Sequence, residues 1–120
     1  MSEIIEILNK LGAETADALE RFLDDKEMYL KYVRNFPEEP SMEALKEAVE
    51  KEDYVQAEKS VHALKGIVNN LGFLPLADAT YDMLGELRDG NIQDALDAYE
   101  DVKEQYDKFC NAIKTWRDTE

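Results

Sequence analysis

The stretch from Asp53 to Phe73, DYVQAEKSVHALKGIVNNLGF, places Ala57, Val61, Leu64, Val68 and Leu71 at the three-and-four spacing of one face of an α-helix. Asp53 with Gln56 has the spacing of an N-terminal capping box, and Gly72 supplies a C-terminal stop. The segment therefore bounds itself as a helix of about 19 residues, about 28 Å long. At ~100° per residue the apolar stripe points about 135° away from His62, so the imidazole is expected to face water. Lys59, Gly66 and Asn69 lie on the same outward strip, with Lys65 on its flank.

The same periodicity continues on both sides, while alternating patterns and β-branched runs are scarce, and the fold class expected is all-α. Toward the amino end, Ile4, Ile5, Leu8 and Leu11 form a stripe ending at Gly12, and a second short helix runs through Ala18, Leu19 and Phe22. Asp24 with Glu27 has capping-box spacing before a third, in which Met28, Tyr29, Tyr32, Val33 and Phe36 recur at helical intervals until Pro37 interrupts them. Ser41 is expected to cap the next helix, with Met42, Leu45, Ala48 and Val49 inward. Beyond Gly72, Pro75 fits a first helical turn, and Leu76, Ala79, Thr80, Met83, Leu84 and Leu87 continue to the turn at Asp89-Gly90-Asn91. A last helix carries Leu96, Tyr99, Val102, Tyr106, Phe109, Ile113 and Trp116, with Asn91 as its cap. Long amphipathic helices on such short connections pack antiparallel, which gives an up-down-up-down four-helix bundle with additional short helices at the amino end. Nothing divides it, so residues 1–120 are expected to form one domain.

Twenty-eight acidic against 14 basic residues leave a net charge of -14. Such a surface repels phosphate backbones and anionic lipid, so neither a nucleic acid nor a membrane is an expected partner. No stretch approaches the ~20 apolar residues of a membrane span. Cys110 is the only cysteine and His62 the only histidine, which excludes an internal disulfide and a structural zinc site and fits a reducing, cytoplasmic setting. Cys110 neighbours the inward stripe of the last helix and is read as a small packing residue. Asp89 and Glu100 stand at the ends of a calcium-loop spacing, but Asp94 occupies the position that needs glycine, so no metal is expected there. No phosphate-binding loop or glycine-rich kinase loop occurs, so no autonomous kinase activity is expected.

The chemistry is concentrated around His62. A solvent-facing imidazole offers a ring nitrogen lone pair near neutral pH and can accept a phosphoryl group. Lys65, three residues on, is within helical neighbour distance and can offset charge on phosphoryl oxygens. Gly66 removes a side chain one turn below the ring, at a helical position where glycine costs about 1 kcal/mol relative to alanine. Asn69 can donate a hydrogen bond to the phosphoryl group or to a partner. Taken alone, these residues also fit a plain polar surface: spacing permits a nucleophile without requiring one.

Residues 62–73, HALKGIVNNLGF, resemble the signature of the histidine-containing phosphotransfer (HPt) domain, His-x-Leu-Lys-Gly with a further glycine six residues after the first. Ala18 to Phe36, Leu45 to Val49, and Leu76 onward resemble the other helices of that family in order and spacing. The resemblance implies that His62 is phosphorylated, that Lys65 serves the phosphoryl charge and that Gly66 provides clearance. It implies a phosphorelay intermediate, taking a phosphoryl group from the aspartate of a receiver domain, including that of a hybrid histidine kinase, and passing it to another receiver. No cofactor is implied for the chain itself, Mg2+ being expected on the receiver. Ile67, Phe73 and Leu74 are expected to form an apolar docking patch, with Lys59 and Asn69 beside it. Ile67 and Phe73 are larger than the family's usual residues there and are expected to select particular receivers, whereas Gly85 replaces a common glutamate. The alternative is a noncatalytic helical module that only docks. A monomer is expected, since no apolar heptad seam remains once the bundle core is filled.

Overall fold

The computed structural model describes residues 3–119, and every regular element among them is helical. Residues 1, 2 and 120, included in the expected domain, lie outside the described part. The helices are α1 (Glu3–Lys10), α2 (Thr15–Arg21), α3 (Lys26–Asn35), a 3-10 turn (Phe36–Glu38), α4 (Ser41–Glu50), α5 (Tyr54–Leu71), α6 (Leu74–Arg88) and α7 (Ile92–Asp118). From α4 onward the connections are two or three residues long and each helix packs along its predecessor, so α4 to α7 run alternately up and down. The expected all-α bundle is present.

The stripe read from α5 is buried in full: Ala57, Val61, Leu64, Val68 and Leu71. It meets Leu76, Met83 and Leu84 of α6, and the core continues into Val102, Phe109 and Ile113 of α7. Its centre is aromatic. Phe73 stacks on Phe109 with ring centres 4.4 Å apart, and Phe36 packs edge-on to Phe73 at 5.2 Å. Cys110 is buried beside this cluster, and burial pushes its thiol up to about 11, so it packs as a hydrophobe.

The amino-terminal helices hold the end of α5 in place. The Glu14 amide donates to the Gly72 carbonyl at 2.7 Å, and the Arg21 guanidinium donates to the carbonyls of Asn69 and Asn70. The Tyr29 hydroxyl, wholly buried, donates to the Leu71 carbonyl at 2.8 Å, and its burial raises the phenol above its ordinary range. The carbonyls of Asn70 and Leu71 at the end of α5 thus find donors on α2 and α3, and Arg21 adds to the Gly72 amide at Asn69.

Several caps differ from expectation. The N-cap of α3 is Asp25, whose carboxylate accepts from the Met28 amide at 3.0 Å; Asp24 instead completes the left-handed exit from α2 at φ 61°. Ser41 is the first residue of α4 instead of its cap: its amide and hydroxyl both donate to the Glu39 carboxylate, which does the capping from outside. Asn91 holds the N-cap position of α7, but its side chain turns back to donate to Glu86 at 3.4 Å. Phe22 lies just past the end of α2. Within α3 Tyr29 and Val33 are fully buried and Leu30 packs partly against the core, whereas Met28 and Tyr32 are about half exposed.

Candidate functional site

His62 sits midway along α5 with its ring exposed, as its wheel position requires. The outward strip is also as expected: Lys59, Gly66 and Asn69 are exposed, and Lys65 is partly covered. Two groups from α6 complete the surroundings. Arg88 Nη2 lies 3.5 Å from His62 Nδ1, while Arg88 Nε lies 3.5 Å from the Glu58 carboxylate, one turn before the histidine. Lys65 holds its ammonium 5.6 Å from the centre of the Tyr81 ring. The pairing of 58 and 62 with 88, and of 65 with 81, is the register of two antiparallel helices joined at Gly72 and Phe73. Gly85 lies between Tyr81 and Arg88 on α6 and lines a surface cleft with them and Lys65, with open space around it.

On the other flank of α5, a groove of about 700 Å³ runs between α5 and α3, bounded by Ala63, Gly66 and Ile67 on one side and Tyr32 and Asn35 on the other. A Cβ built on Gly66 meets nothing within 4 Å. Close helix packing therefore does not explain this glycine; the room it leaves is on the outside. Alanine fits the free protein, and Gly66→Ala is expected to raise its stability by about 0.5–1 kcal/mol, read from the urea midpoint at unchanged slope.

One expected member of the docking patch is not on the surface. Phe73 is fully buried, because Gly72 reverses the chain and the residue after such a stop folds back onto the helix it leaves. Leu74 is 40% exposed and Ile67 partly so, and the apolar surface near the site is extended by Tyr32 and Tyr81 instead. Arg88, Glu58 and Tyr81 were not singled out from the sequence. The signal was present in the two-residue connection after Leu71, which fixes which residues of α6 stand opposite His62.

His62 thus lies on an open strip with Lys59, Lys65 and Arg88 nearby, on a chain of net charge -14. Such an arrangement offers a nucleophilic nitrogen, cations for an anionic group, and clear approach for a large partner. No helix among the described residues is long and apolar enough to cross a membrane. Neither the curated proteins nor the solved structures compared with the chain gave a match. A family model, described as the Hpt domain, matches residues 3–112, nearly the whole chain. Helical bundle, exposed histidine and family match agree, and the chain belongs to the Hpt domain family, whose members carry out phosphotransfer in two-component signalling with receiver domains and histidine kinases.

Proposed function

We propose that the chain is a phosphorelay intermediate in which His62 takes a phosphoryl group from a receiver aspartate and passes it to a second receiver. The observation that carries this reading is the exposed His62 ring above the open Gly66 position, within reach of cationic side chains. The ring nitrogen lone pair attacks phosphorus in line as the bond to the aspartyl oxygen breaks, and that electron pair stays on the receiver carboxylate. Lys65 leaves the Tyr81 face to meet the phosphoryl oxygens, and the bound receiver excludes water and supplies its own Mg2+. Gly66 and Ala63 let the partner approach, while Ile67, Leu74 and Tyr32 offer apolar contact and Lys59 and Asn69 border it. The few apolar groups around the ring fit transient docking of modest area.

A purified receiver, charged with a small phosphodonor and mixed with the chain, is expected to leave acid-labile, alkali-stable label on it, whereas ATP alone leaves none. An unlabelled chain, tested against several charged receivers, would exclude the relay and leave a docking module.

A further inference from the structure

Arginine has no acceptor and stays charged, so its approach to His62 Nδ1 at 3.5 Å favours a lone pair on that nitrogen over a proton. A neutral ring with its lone pair on Nδ1 carries its proton on Nε2. We infer that Arg88 is a positioning residue that sets the His62 tautomer, keeping the proton off Nδ1, and that it thereby restrains loading of the phosphoryl group and prolongs its stay once loaded. The second half rests on the phosphorelay reading; the first does not.

Nε2 is the nitrogen farther from the backbone and the one left open to a partner. To attack it needs its lone pair, so the proton must first move to Nδ1, where it and an Arg88 N–H cannot both point. After attack the ring carries phosphorus on Nε2 and the proton on Nδ1. That proton passes to solvent, and Arg88 can close on the vacated lone pair. When the phosphoryl group leaves, for a carboxylate or for water, the N–P electron pair returns to Nε2. A proton on Nδ1 makes the departing ring a neutral imidazole in place of an imidazolate, and Arg88 occupies the direction from which that proton would come. Glu58 holds the guanidinium in this place from the preceding turn. With Arg88 removed, the Glu58 carboxylate is free to accept from Nδ1–H, four residues along the same face.

His62 is the only histidine, so long-range nitrogen–proton spectra of the 15N-labelled full chain contain a single imidazole. In spectra recorded at about pH 8.5, the wild type is expected to show the Nε2–H form and Arg88→Met a shift toward Nδ1–H. After loading from a charged receiver and removal of that receiver, label on Arg88→Met is expected to decay about threefold faster, the scale of one solvent-exposed charged contact. Arg88→Lys keeps the charge but lacks the length and the fork, and is expected to follow Arg88→Met in both readouts. A wild type in the Nδ1–H form, or spectra unchanged by Arg88→Met, would overturn the tautomer assignment. Equal decay would overturn the retention role, and wild-type decay in Arg88→Lys alone would assign it to charge and not to the Nδ1 contact. A wild type that takes no label sinks the relay reading, while the spectra still decide on Arg88.

Discussion

Replacing His62 with glutamine is expected to abolish acid-labile label, lowering transfer from a charged receiver by more than about 10³-fold, while the melting temperature moves by no more than about 2 °C. The two halves of this expectation have one cause. The ring is exposed and its one polar contact is to a solvent-exposed arginine, so the folded state gains little from it. Glutamine preserves reach and polarity but has no nitrogen lone pair able to attack phosphorus. No second histidine exists to take over. The buried Cys110 thiol, pushed up to about 11, offers no substitute nucleophile either. Phosphorus-31 spectra of the loaded wild type and variant, with thermal melts of both, check the two halves together. Full labelling of His62→Gln would place the phosphoryl group elsewhere and end the assignment of His62.

The long helices were legible because their signals are redundant. In α5 the apolar stripe, the Asp53 cap and the Gly72 stop each mark the same element, and the Asp53 carboxylate does accept from the Gln56 amide at 3.1 Å. The short helices gave one weak signal each. Asp24 and Asp25 are chemically equivalent candidates for the α3 cap, and only the left-handed turn at Leu23 and Asp24 decides between them. At α4, Pro40 takes the cap position and Glu39 supplies the oxygen, a solution that a search for serine at the boundary cannot see. Tyr32 sits at a periodic position yet stays half exposed, because periodicity reports a shared face and not whether a neighbour covers it.

The site was legible on one helix and not across two. Everything at helical spacing from His62 on α5 faces where its wheel angle puts it. Arg88, 26 residues away, reaches His62 only through the register of α5 against α6, which a wheel does not contain. Phe73 was misplaced for a related reason: it is adjacent to the signature in sequence, but Gly72 reverses the chain and sends the ring into the stack with Phe109.

That reversal makes Gly72→Ala strongly destabilising, with an expected loss of about 2–4 kcal/mol and a fall in melting temperature of about 8–15 °C. Gly72 adopts φ +80°, a left-handed conformation that alone costs an L-residue about 1–2 kcal/mol. Beyond this, a Cβ there would lie 2.6 Å from the Glu14 carbonyl oxygen and 3.1 Å from the Ala18 Cβ. The first obstacle is backbone, held by the Glu14 amide donating to the Gly72 carbonyl, so relief requires moving α2 off the end of α5. Gly90 separates the two contributions. It has nearly the same φ, +77°, but open space around it, so Gly90→Ala is expected to lose only the conformational part, about 1 kcal/mol. Urea melts of both variants measure the difference. Equal losses would mean that the contact between Glu14 and Gly72 does not clamp the two segments together. A larger loss at Gly72 identifies that contact as what holds the amino-terminal helices, and with them the Tyr32 side of the groove, against the helix that carries His62.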